Sequence, residues 1–227
     1  MKKVITILML VVFTVSLCGC STKSAVVYNR GEYIVSAIGF DNDFNDIKMT
    51  VEAIVVNSDI PQDPEKSKIF SGSGTSIAQA FFEINKKITQ PLMFSHTGVI
   101  AMGESLLPNQ INDVLKFCYE KDEINLAAMF VATADAKELL SCKAVSSVAV
   151  GYDIMNMTQV MGEKTNFKFK NRFYEVEANR NAPSKTVSLP YFTVLDGSVI
   201  FKGVNIYEQD RLIKKDNFSE KSNFNGK

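Results

Sequence analysis

Along this chain, runs of alternating or continuous apolar residues separate cleanly from stretches where apolar residues recur every three or four positions. The first kind predicts strands and the second helices. YIVSAIGF (33–40) and IKMTVEAIVV (47–56) are rich in β-branched and aromatic residues and flank the polar DNDFND (41–46), which predicts a hairpin closed by a solvated acidic loop. SDIPQDPEKS (58–67) is polar, carries two prolines and predicts a loop. Next, SGSGTS (71–76) reads as a flexible turn feeding a capping box of Ser76 and Gln79. Ile77, Ala80, Phe81, Ile84 and Ile88 then repeat at helical spacing, with Pro91 as the stop. Met93 to Met102 predicts a strand bearing His96 near its start. A second helix begins near Pro108, with Ile111, Val114, Leu115 and Cys118 as its apolar face.

The alternation continues. NLAAMFVATA (125–134) predicts a strand, and helical patterns follow at Asp135–Leu140, Val148–Met161 and 169–180. NAPSKTVSLP (181–190) changes character, and YFTVLDGSVIFKGVNIY (191–207) predicts a hairpin turning at Asp196-Gly197. From Lys214 the polar KKDNFSEKSNFNGK reads as a frayed tail. Strands alternating with helices imply an α+β fold, a mixed β-sheet with packed helices, followed by the β-hairpin start of a second, truncated domain.

The first residues follow a different logic. Lys2 and Lys3 precede an apolar run from Val4 to Leu17, too short for a membrane-spanning helix, which needs about 20 apolar residues. A basic start, a short apolar core and small residues after it form a secretory signal peptide. Leu17-Cys18-Gly19-Cys20 resembles a bacterial lipobox, so cleavage after Gly19 leaves Cys20 as a lipidated N-terminus. Two acyl chains hold a protein stably at a bilayer where one does not. The expected organisation is therefore a signal peptide (1–19), a lipidated tether (20–27), an N-terminal domain (28–182), the start of a second domain (183–213) and a polar tail (214–227).

Composition adds mostly exclusions. The full chain carries 25 basic and 25 acidic residues, and losing Lys2 and Lys3 with the signal takes the formal charge to about −2. Such a balance gives no electrostatic footprint for nucleic acid. Of the four cysteines, Cys118 and Cys142 remain in the mature fold as a disulfide or as two buried thiols. With His96 the only histidine, these residues do not make up an obvious metal-ligand set. SGSGTS lacks the lysine of a phosphate-binding loop, since Gly74 stands there. His96 invites a role as general base, but there is no GxSxG to supply a nucleophile, and a structural histidine on a strand is the better reading. Asp41, Asp43 and Asp46 lack the glycine and terminal glutamate of a calcium loop. No catalytic residue, cofactor or metal site is assigned.

Four segments behind the lipobox carry a resemblance. YNRGEYIVSAIGFD (28–41), FSGSGTSIAQAFFEI (70–84), LMFSHTGVIAMGESL (92–106) and LPYFTVLDGSVIFKGVNI (189–206) are similar, in order and spacing, to segments of the Ger(x)C lipoproteins, the C subunits of GerA-type spore germination receptors. Members of that family usually place Trp-Asp directly after the lipidated cysteine, where this chain has Ser21 to Val27 and then Tyr28-Asn29. They also usually continue through the rest of a second domain and a third, so this chain resembles their N-terminal portion. The resemblance implies a non-enzymatic subunit on the outer surface of the spore inner membrane. It would be held there by Cys20 and assembled with the integral membrane subunits A and B of a nutrient receptor. A lipid-anchored, extracytoplasmic solute-binding protein is the alternative, which calls for a sizeable, mostly apolar pocket with convergent polar groups.

Overall fold

The computed structural model describes residues 31–56, 67–121 and 123–217. The segments expected as signal peptide and as tether with Cys20, and nearly all of the proline-containing loop at 58–67, lie outside the described residues. β1 (Glu32–Asp43) and β2 (Asp46–Val56) form the expected hairpin, with Asp43 opposite Asp46. The acidic loop shrinks to a two-residue turn at Phe44-Asn45, because pairing runs to the ends of both strands. β3 (Ser67–Gly74) pairs antiparallel to β2 and makes one sheet edge. SGSG is thus strand, not flexible turn. Helix α1 (Ile77–Asn85) lies so close over it that a Cβ on Gly72 would sit 2.2 Å from the Ala80 carbonyl oxygen.

α1 starts as the pattern demands: the Ser76 hydroxyl accepts from the Gln79 N–H at 3.2 Å. The capping is only half the expected box, since the Gln79 side chain accepts from the N–H and hydroxyl of Thr75 instead of reaching Ser76. The helix ends at Asn85, well before Pro91. The strand expected over 93–102 is broken into β4 (Leu92–Met93) and β5 (Val99–Gly103), and His96 falls on the exposed turn between them. α2 (Pro108–Glu120) follows, then β6 (Met129–Thr133), which is shorter than its apolar run because 125–128 form a turn. Next come α3 (Ala136–Leu140), α4 (Val150–Thr165) and α5 (Phe173–Asn181).

β7 (Thr186–Leu195) and β8 (Ser198–Glu208) form the second hairpin. Asp196 and Gly197 both have positive φ, 51° and 72°, as a two-residue hairpin turn of this hand requires. β9 (Arg211–Asn217) pairs with β8, so residues 214–217, expected as part of a frayed tail, form strand; 218–227 lie outside the described residues.

The sheet order is β3-β2-β1-β5-β6-β7-β8-β9, with β4 beside β1. β1, β5, β6 and β7 run parallel in the centre, and an antiparallel hairpin extends each side. Both faces of the centre are buried, which is why these strands read as near-continuous apolar runs. Ile38, Phe40, Ile100, Met102 and Phe130 pack toward α1, α2 and α5. Ala37, Val99, Ala101 and Val131 face α3 and α4. The fold class is α+β, a mixed sheet with packed helices.

Candidate functional site

The residues singled out by chemistry do not converge. His96 is exposed on its turn, and Ser71 and Ser73 lie on the edge strand β3. Asp41 is buried, not solvated. Its carboxylate accepts from the N–H groups of Ala136 (2.8 Å) and Lys137 (3.1 Å), where it anchors the start of α3. Burial raises its pKa from the ordinary carboxylate value, against the pull of those hydrogen bonds. Cys118 and Cys142 are free thiols. They pack on opposite faces of the sheet, which rules out a bridge within the fold. Burial pushes Cys118 up to about 12. Among the described residues no group of acidic, histidine and cysteine side chains could hold a metal ion. Cys20 lies outside the described residues.

What the sequence pattern gave no sign of is a cavity of about 230 Å³ between the sheet, α2 and α5. Its floor is Met102 and Gly103 of β5, Phe130 of β6, and Val187 and Leu189 of β7; Pro108, Ile111 and Leu115 of α2 form one wall. Val176 and Arg180 of α5 form the other, and Tyr207 of β8, Asp210 of the β8–β9 turn, and Arg211 and Leu212 of β9 close the mouth. Apolar side chains from elements far apart in sequence meet here because strand order brings β7 beside β6.

The polar groups at the mouth are largely committed to one another. The Arg180 guanidinium holds Asp210 with two bonds, Nε to Oδ1 at 2.7 Å and Nη2 to Oδ2 at 2.5 Å, and Nη2 also donates to Asn112. The Asp210 carboxylate keeps Arg180 above its usual range. Glu104 accepts from Asn205 Nδ2 at 3.1 Å and from Lys215 Nζ at 2.6 Å. Burial pushes the Tyr207 hydroxyl up to about 12, so it stays protonated and can donate. Among the described residues no serine, threonine, cysteine or histidine lines the cavity. It can hold a small apolar body and present polar groups at one end. Its size sits just under the range of about 300–1,000 Å³ usual for ligand pockets.

A second buried carboxylate, Glu52, sits among alternating strand residues, where no motif marks it. It is fully buried and accepts from Ser36 Oγ (2.8 Å), Ser67 Oγ (3.1 Å) and the N–H groups of Val150 (2.7 Å) and Gly151 (2.8 Å). The positive end of α4 and two hydroxyls take the place of a countercation, a structural use of the helix dipole.

Comparison with known proteins bears on all of this. The family described as the spore germination protein N-terminal domain matches residues 32–194. No curated protein matches. Among solved structures, the crystal structure of the GerBC protein is similar at 15% identity and a TM-score of 0.40, over 80% of this chain. The chain spans about half the length of that protein, 51%. Among the described residues no helix is long and apolar enough to cross a membrane.

Proposed function

The chain belongs to the GerAC-type spore germination protein family through its N-terminal domain, and from that premise we propose that it is a lipid-anchored, non-enzymatic subunit of a nutrient germinant receptor. The family match over residues 32–194 is the observation that carries the proposal. In this reading the signal peptide is removed and Cys20 takes a diacylglyceryl group. The subunit then sits on the outer surface of the spore inner membrane and works by assembly with the integral membrane subunits A and B. The matched domain, residues 32–194, takes in β7, and β8 and β9 continue its sheet.

The test is germination. Spores lacking the gene lose nutrient-triggered loss of refractility and keep their response to a non-nutrient trigger. The intact gene restores the nutrient response and Cys20→Ala does not. Restoration by Cys20→Ala would overturn the anchor, and an unchanged nutrient response in the deletion would count against the receptor role.

The cavity favours a second reading, an anchored binding protein for a small, mostly apolar solute. Titration calorimetry with small branched aliphatic and aromatic compounds gives saturable heats in that case, and Ile111→Trp, which fills the cavity, abolishes them.

A further inference from the structure

α4 returns to the sheet through TNFKFKNR (165–172), a segment in which exposed cations and phenylalanines alternate. Lys164, Lys168, Lys170 and Arg172 are all exposed, and among the described residues none pairs with a carboxylate within 4 Å. Phe167 is 37% exposed and Tyr174, the second residue of α5, is 53% exposed. Glu163 and Glu175 are the acids of the same stretch, and Glu175 is engaged at the Arg172 N–H, so the cations outnumber the acids by two.

The segment is held firmly. Asn171 is buried, its amide donates to the Phe130 carbonyl at 2.9 Å, and its own carbonyl accepts from the Phe130 N–H at 2.7 Å. Arg172 bridges Met129, the first residue of β6. That fixes which end of the molecule the cations decorate. Because β1, β5 and β6 are parallel, with Ala37 level with Val99 and Val99 level with Met129, the segment lies at the end of the sheet where these strands begin. β1 begins there too, at Glu32, so the chain enters the described fold at this end.

We propose that this end of the sheet, through Lys164, Lys168, Lys170, Arg172 and Phe167, is a membrane-facing surface that docks on anionic phospholipid headgroups. The proposal rests on the anchored reading above. A chain tied to the bilayer ahead of residue 31 enters the fold at the same end as the free cations. A basic surface beside exposed aromatic rings complements a bilayer with negative headgroups. The lipid then restrains the protein near the membrane and this surface sets its orientation.

The test separates the two ideas. The chain from residue 20 onward carrying Cys20→Ser retains every described residue and has no lipid. It is sedimented with vesicles of phosphatidylcholine alone and of phosphatidylcholine mixed with phosphatidylglycerol. Binding to the mixed vesicles only, weakened by salt, is expected. Each basic residue near such a surface contributes a factor of about five, so Lys168→Gln with Lys170→Gln lowers the partition coefficient about thirtyfold. The charge-matched pair Lys48→Gln with Lys137→Gln, at the opposite end of the sheet, leaves it unchanged. No binding, equal binding to both vesicles, or equal losses in the two double variants overturns the proposal. Lipidation of Cys20 is read independently, from the mass of the N-terminal peptide of the wild-type chain. A lipidated Cys20 with no vesicle binding removes this surface and leaves the anchor standing.

Discussion

Two buried carboxylates show how single residues hold this fold. Every acceptor position of Glu52 faces a donor, so Glu52→Gln presents an amide NH₂ to at least one hydroxyl or backbone N–H. That substitution should cost about 2–3 kcal/mol, read as a shift in the urea midpoint at unchanged m-value. Asp41 gives a pH signature. Its folded pKa lies above the ordinary 3.8, so relative to a neutral side chain its contribution is full below about pH 4 and falls as pH rises through the folded value. Unfolding free energies of the wild type and Asp41→Asn, measured from pH 4 to pH 7, should therefore shift in favour of the variant with rising pH. The thiols differ as well. Cys118 is buried with its pKa pushed up to about 12, whereas Cys142 is partly exposed and less shielded, so native-state alkylation should label Cys142 first.

Elements meet here through close backbone approach as much as through side chains. α1 can lie on the edge strand β3 only because Gly72 has no Cβ to strike the Ala80 carbonyl. Gly72→Ala should lift the helix from the sheet at a cost of about 1–3 kcal/mol, seen as a lower Tm in a thermal melt. The same glycine-rich stretch that suggested a loop is therefore strand, its glycines serving packing. At the other edge, β9 is exposed along its whole length and carries Lys214, Lys215 and Asp216. Charges on an edge strand discourage pairing with other chains, so the polarity that made this stretch resemble a tail suits an edge.

At the scale of the molecule, one sheet joins the first hairpin to the last. Val187 and Leu189 belong to the core beneath α1, α2 and α5, and Phe192 to the core beneath α3 and α4. A chain ended at Ala182 should lose cooperative unfolding in urea, because both cores are then open along β6. Retained cooperativity would show instead that residues 28–182 are self-sufficient. The cavity between α2, α5 and β7 belongs to this scale too, since its walls come from residues 102–212 and its mouth is closed by an ion pair thirty residues apart in sequence, Arg180 with Asp210.

The local pattern determined most of the elements. The β1–β2 hairpin, the Asp196-Gly197 turn, the Ser76 cap and the apolar faces of α1 and α2 follow from side-chain period, turn residues and capping groups, all of which act within a few residues. The resemblance of residues 17–20 to a lipobox and the segments that carry the family resemblance are equally local. Only the tertiary structure decided that SGSG is strand, that His96 lies on a turn, that Asp41 and Glu52 sit on helix starts, and that a cavity opens beside Tyr207. Each depends on partners about 10 to 100 residues away, brought close by strand order and parallel register. Nothing in the neighbouring residues records a distance of that kind. The same holds for the cationic end of the sheet: the sequence displays its lysines and phenylalanines, and strand direction alone sets them beside the point where the chain enters the fold.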